Sequence, residues 1–89
     1  MRIHYYATLR EVTKTREETW TGPEKTLGEL LDALCKKYGP SFQKWVAQDG
    51  HGSLAIFLVN GQDYRSLDGL ETRLSPEDTV SIFPPVAGG

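Results

Sequence analysis

Leu27, Leu30, Leu31, Leu34 and Tyr38 recur at helical spacing, and this stripe constrains the fold more than any other feature of the chain. Thr26 and Glu29 form a capping box ahead of it, and Gly39-Pro40 closes it. Lys36 and Lys37 fall in the last turn, where cations favour the helix dipole. A stripe of this kind needs a flat apolar partner, which one face of a sheet provides. The segments on either side of the helix read as the strands of that sheet.

From Met1 to Leu9, apolar Met1, Ile3, Tyr5, Ala7 and Leu9 alternate with Arg2, His4, Tyr6 and Thr8. Period two over this span predicts a half-buried strand. Arg10 to Lys14 reads as a polar turn, and Thr15 to Thr21 as a second strand pairing back in a hairpin before Gly22-Pro23. Past the helix, Ser41 to Gln48 predicts a short helical turn around Phe42, Trp45 and Val46, followed by an Asp49-Gly50-His51-Gly52 loop. The apolar run from Leu54 to Asn60 predicts a central strand ending in a tight Asn60-Gly61 turn. Asp63 to Thr72 is polar, anchored by Leu67, Leu70 and, just beyond, Leu74. Ser75-Pro76-Glu77-Asp78 predicts a turn, and Thr79 to Phe83 a last strand that Pro84-Pro85 ends. The expected fold is α+β, with the first and last strands as parallel central neighbours and the helix in the crossover.

A chain of 89 residues fits one domain, whose single small core leaves little room for an elaborate buried active site. Charged residues make up 25% of it and sum to a formal −2 with the signs interspersed, so no basic stripe marks a nucleic-acid surface. No apolar run approaches membrane-spanning length, and Met1-Arg2-Ile3-His4 opens without the apolar segment of a secretory signal. A single cysteine, Cys35, permits no internal disulfide and fits a reducing cytoplasm. Cys35 follows Leu34 on the helix and reads as a small packing residue. One cysteine and two distant histidines, His4 and His51, offer no metal-ligand spacing. His4 and His51 are expected in solvent, Trp20 and Trp45 at the core or its edge. Arg10 and Arg73 are expected on the surface, available to an acidic partner.

The chemistry concentrates in the ending, Phe83-Pro84-Pro85-Val86-Ala87-Gly88-Gly89. Glycine lacks a Cβ, so Gly88 and Gly89 can enter a channel too narrow for other residues. The Gly89 carboxylate becomes an electrophile once ATP converts it to an acyl-adenylate, which a sulfur nucleophile can attack. Pro84-Pro85 favours extended, stiff backbone. The five residues beyond Pro84 reach at most roughly 15–18 Å, enough to thread a deep partner pocket. Phe83 alternates opposite the inward Val80 and Ile82, which predicts an outward aromatic beside the tail, suited to docking. The expected organisation is a domain over 1–83 and an extended tail over 84–89. The partner-binding residues are then Phe83, Pro84, Pro85, Val86, Ala87 and Gly88, and the reactive carrier residue is Gly89.

Four stretches carry a family resemblance: Tyr6-Ala7-Thr8-Leu9-Arg10-Glu11, Thr26-Leu27-Gly28-Glu29-Leu30-Leu31, Val59-Asn60-Gly61, and Ser81 to Gly89. With these the chain resembles the MoaD family, the small subunit of molybdopterin synthase. The Gly69 to Leu74 stretch is similar to the broader sulfur-carrier group. Ser75-Pro76-Glu77-Asp78 departs from the glycine that many relatives carry before the acidic residue. The resemblance implies a ubiquitin-like β-grasp with a mixed four- to five-stranded sheet and one main helix across one face. It implies a non-catalytic carrier that binds no cofactor or metal of its own. A ubiquitin-activating-type partner would use ATP and magnesium to adenylate Gly89, and a persulfide enzyme would supply the sulfur. The resulting thiocarboxylate would enter the large subunit of molybdopterin synthase and build the dithiolene of the molybdenum or tungsten cofactor. Other readings of the same tail are a modifier joined to lysines, a carrier for thiazole or tRNA thiolation, and a binding module with an idle tail.

Overall fold

The computed structural model describes residues 1–46 and 55–85. Strands β1 (Arg2–Tyr5) and β2 (Glu17–Thr19) flank a short helix, α1 (Leu9–Thr13). The long helix α2 (Leu27–Tyr38) and α3 (Pro40–Val46) follow, then β3 (Ile56–Val59), β4 (Gln62–Asp63) and β5 (Thr79–Phe83). The strands form one mixed sheet in the order β2-β1-β5-β3-β4. β5 is its middle strand, parallel to β1 and antiparallel to β3. This is the α+β ubiquitin-like β-grasp, with helices on one face of a five-stranded sheet.

The helix stripe behaves as its spacing requires. Leu27, Leu30 and Leu34 are fully buried and Leu31 nearly so, while Tyr38 is half-buried. They meet Ile3, Tyr5, Phe57, Val80 and Ile82 from the sheet, all without solvent exposure. The Glu29 amide donates to Thr26 Oγ1 at 3.2 Å, and Glu29 Oε1 reaches back to the Lys25 amide at 2.8 Å. The capping box is therefore closed one residue earlier than its simplest form. Gly39 ends α2 at φ +82°, and its amide bonds the Cys35 carbonyl at 2.8 Å. Pro40 then opens α3, a first-turn position where a missing N–H costs nothing.

The N-terminal expectation needs correction. β1 stops at Tyr5, and the segment from Arg10 to Lys14 read as a turn belongs largely to helix α1. Ala7 sits at φ +53°, which ends the alternation that carried the strand reading on to Leu9. Leu9 still reaches the core, but from a helix. Thr13 Oγ1 donates back to the Leu9 carbonyl at 3.0 Å, and Lys14 at φ +64° closes the helix. The second strand is shorter than Thr15 to Thr21 but pairs antiparallel to β1 as expected.

Asn60 and Gly61 both have positive φ, 53° and 85°, and join β3 to β4 in a two-residue turn. Leu54 and the Asp49-Gly50-His51-Gly52 loop lie outside the described residues. So do Ala47 and Gln48, at the end of the span expected to hold the second helical turn. Two 3-10 turns, Tyr64–Ser66 and Gly69–Glu71, occupy the polar stretch after β4. The turn at Ser75 to Asp78 forms as expected, the Asp78 amide bonding the Ser75 carbonyl at 3.0 Å. Asn60 ties the hairpin turn to the start of β5: its Nδ2 donates to Asp78 Oδ1 at 2.9 Å, and its Oδ1 accepts from the Thr79 amide at 2.9 Å.

Candidate functional site: the root of the tail

β5 delivers the chain end from the middle of the sheet, with a neighbour strand on each side. Ile82 points into the core and Phe83 to the opposite face. Pro84 is buried and Pro85 half-buried. The first proline thus stays against the body. Val86, Ala87, Gly88 and Gly89 lie outside the described residues.

Phe83 is half-buried, because a neighbour covers one side of its ring. Tyr6 stacks on it with centroids 4.2 Å apart and planes 11° from parallel. The Tyr6 amide also donates to the Ile82 carbonyl at 3.2 Å, which fixes the stack to the end of the parallel ladder. Arg10 completes the group from α1. Its guanidinium carbon lies 5.4 Å from the Tyr6 centroid, and its Nε donates to the Tyr5 carbonyl at 3.0 Å. Across β5, Ile56 pairs with Phe83 and Leu58 with Ser81, so both side chains share Phe83's face. Ile56 is 40% exposed, the one large hydrophobic left open among the described residues.

The outer face of the sheet is therefore divided. Toward the start of β5 it is polar, with Arg2 Nη1 3.6 Å and His4 Nδ1 3.4 Å from Glu17 carboxylate oxygens. Toward the tail it is apolar, built from Tyr6, Phe83, Ile56 and Leu58 beside the Arg10 cation. Such a patch, with aromatics and one arginine around the end of β5, has the composition of surfaces that seat partner proteins.

Reading the residues in order places Phe83 and Tyr6 on the outer face but does not bring them together. Ile56 escapes that reading because an unbroken apolar run implies burial on both faces. Its parity, opposite to buried Phe57 and Val59, is the signal that places it outside.

The other candidates take structural places. Cys35 is half-buried against the core, and burial first, then Asp32, pushes its thiol upward. Trp20 and Trp45 both pack on the core edge. Arg73 is exposed and its backbone bridges to Thr26. His51 lies outside the described residues. Among the described residues no group of three or more His, Cys, Asp or Glu side chains converges as a metal site would. Nor is any described helix long and apolar enough to cross a membrane.

Among the described residues an ionic cluster around Glu18 lies on the inner face of the sheet, opposite to the Tyr6–Phe83 face. Glu18 accepts from Tyr5 Oη at 2.6 Å, from Lys37 Nζ at 2.7 Å and from the Tyr38 hydroxyl. Burial raises the Glu18 carboxyl, but the bonds from Lys37, Tyr38 and Tyr5 together hold it below its ordinary value. Burial and then Glu18 push the Tyr5 phenol far above its usual range. This cluster ties β2 to the end of α2.

A β-grasp whose middle strand leads into the sequence Pro84 to Gly89, with an apolar patch around the strand's end, has the features of the ubiquitin-like carrier and modifier class. The ThiS family model matches residues 3–89, and the chain belongs to that family of ubiquitin-like sulfur carriers. It is 34% identical to small archaeal modifier protein 3 of Haloferax volcanii, over 100% of this chain and 98% of that protein. It is similar to a chain in the BexX/CysO complex of Amycolatopsis orientalis, with TM-score 0.77 at 26% identity, covering 99% of this chain and 98% of that one. A Pyrococcus furiosus structure provisionally named molybdopterin converting factor, subunit 1, superposes with TM-score 0.74 at 25% identity, covering 96% of this chain and 95% of that one.

Proposed function

We propose that Gly89, as the C-terminal residue, is the site at which this protein carries sulfur, and that the apolar patch at the tail root docks the enzymes that load and unload it. The carboxylate attacks ATP on a ubiquitin-activating-type enzyme, giving the acyl-adenylate and pyrophosphate. A persulfide sulfur then displaces AMP to form an acyl disulfide. A second thiol cleaves the S–S bond, leaving the Gly89 thiocarboxylate and a disulfide. Magnesium and ATP belong to that partner, and this chain supplies the carried atom and the docking surface. The observation that carries the reading is the Tyr6–Phe83 stack, which fixes an outward aromatic surface directly before Pro84. Membership of the ThiS family supports the sulfur chemistry.

For the acceptor, we favour a pterin precursor, held by the large subunit of a molybdopterin synthase, that gains its dithiolene sulfurs from Gly89. The tail sequence and the likeness to the Pyrococcus chain support this. A second reading, an amide bond between Gly89 and lysines of other proteins, draws on the full-length likeness to the Haloferax modifier. Both would operate in the cytoplasm, where reducing conditions favour a thiocarboxylate.

Intact mass spectrometry after incubation with ATP, an activating enzyme and a sulfur donor tests the chemistry. One oxygen replaced by sulfur is expected in the full chain and not in a chain lacking Gly89. No change, with an enzyme shown to be active on another carrier, would sink the proposal. Purification from cells then separates the acceptors. Co-purification with a pterin-handling subunit supports the first, and lysine-linked branched peptides ending in Gly-Gly support the second.

A further inference from the structure

A second recognition surface lies at the end of the sheet opposite the tail root. It is a groove of about 510 Å³. Met1, Trp20, Pro23, Leu74 and Pro76 supply its apolar walls, with Lys25 and Arg73 also lining it. The walls are held by backbone bonds: the Trp20 amide to the Met1 carbonyl at 2.7 Å, and the Leu74 amide to the Lys25 carbonyl at 2.9 Å. Glu24 also lines the groove, but its Oε1 is engaged by Trp20 Nε1 at 2.6 Å. Lys25 and Arg73 are exposed, and neither side chain has an ion-pair partner among the described residues.

An apolar trough with two unpaired cations fits a short, small, uncharged peptide that ends in a carboxylate. Val86-Ala87-Gly88-Gly89 has those properties. A chain's own tail is too short to lie there. The four residues after Pro85 extend at most roughly 14 Å. The path back to Pro76 alone runs the length of β5, roughly 15 Å. We infer that the groove receives the C-terminal segment of a second copy of this chain, with the Gly89 carboxylate between Lys25 and Arg73. The contact is head-to-tail and weak, since exposed ion pairs contribute little. It would shelter the carboxylate of the free carrier until an activating enzyme, seated on the other end, takes it. The inference rests on Gly89 being the functional end, and its test uses no activating enzyme, so it can fail while the mass-shift experiment succeeds, and the reverse.

The test is an NMR titration of the dilute, isotope-labelled full chain with the synthetic peptide Pro-Pro-Val-Ala-Gly-Gly, as free acid and as C-terminal amide. The expected result is saturable shifts at the Trp20 indole N–H and at the Lys25, Arg73 and Leu74 amides, with the amide form binding about fivefold more weakly. Arg73→Gln and Lys25→Gln, both exposed positions, should each weaken the acid without altering the remaining spectrum. Concentrating the full chain alone should move the same resonances. No shifts at millimolar peptide, or shifts confined to the Tyr6–Phe83 face, would overturn the inference. Equal binding of acid and amide would overturn it too, because the groove would then be an apolar site for some other occupant.

Discussion

The two faces of the sheet carry apolar residues for different ends. On the inner face Ile3, Tyr5, Phe57, Val80 and Ile82 lose all contact with solvent beneath α2. On the outer face Tyr6, Phe83, Ile56 and Leu58 gather around the end of β5, and no helix among the described residues lies over them. The same five strands present both sets, because successive side chains alternate. The inner set holds the fold, while the outer set is kept open at some cost in exposed apolar area. An apolar patch that no described element covers has the character of a surface for another chain.

Four changes would break or sharpen this contrast, in falling order of effect on stability. Leu30→Ala removes a fully buried contact of α2 with the inner face and should cost about 2–5 kcal/mol in urea unfolding. A much smaller loss would mean that the helix does not cover that face as described.

Glu18→Gln weakens the bonds from Lys37, Tyr5 and Tyr38 and should cost about 1.5–3 kcal/mol at neutral pH. Its acid titration adds a second readout. The folded-state pKa of Glu18 is below its unfolded value, so the stabilisation is complete above the unfolded pKa, about 4.5, and is lost as pH falls through the folded one. Asp63, held near pKa 2 first by its bond with the Arg65 side chain, and Asp78, also lowered, act in the same direction in both proteins. Urea midpoints from pH 7 downward should therefore fall less in the variant, and parallel curves would remove Glu18 from the account.

Phe83→Ala breaks the stack with Tyr6 and should cost about 1–2 kcal/mol of stability. Its larger consequence should be at least about a tenfold loss of affinity for the loading or acceptor enzyme, measured by calorimetry. Unchanged affinity would refute the docking role. Ile56→Thr should leave stability within about 0.5 kcal/mol, yet weaken the same binding. If Ile56→Thr instead unfolds the chain and spares binding, the division between the faces is wrong.

The helical stripe and the Asn60-Gly61 turn were legible because they depend on local periodicity and on a turn chemistry with few solutions, and the parallel pairing of first and last strands because a helix lies in the crossover between them. Helix α1 was not. Its first residue, Leu9, completes a strand-like alternation and the rest reads as a polar turn; the break comes from Ala7 at positive φ, a conformation alanine rarely takes and does not advertise. The ending Pro84 to Gly89 could be singled out because stiff prolines followed by small residues form an unusual run, although Val86 to Gly89 lie outside the described residues. The surface beside it could not, because Tyr6, Arg10, Ile56 and Phe83 come from three distant segments and only the sheet register makes them neighbours.

The position of β5 has a consequence for biosynthesis. It is synthesised after the other four described strands and is the middle one of the sheet, flanked by β1 and β3. A nascent chain that stops before Thr79 leaves those two strands with no partner between them and α2 with half of its floor missing. Closure of the sheet therefore waits until β5 has been made, and a product interrupted before it stays open to proteolysis.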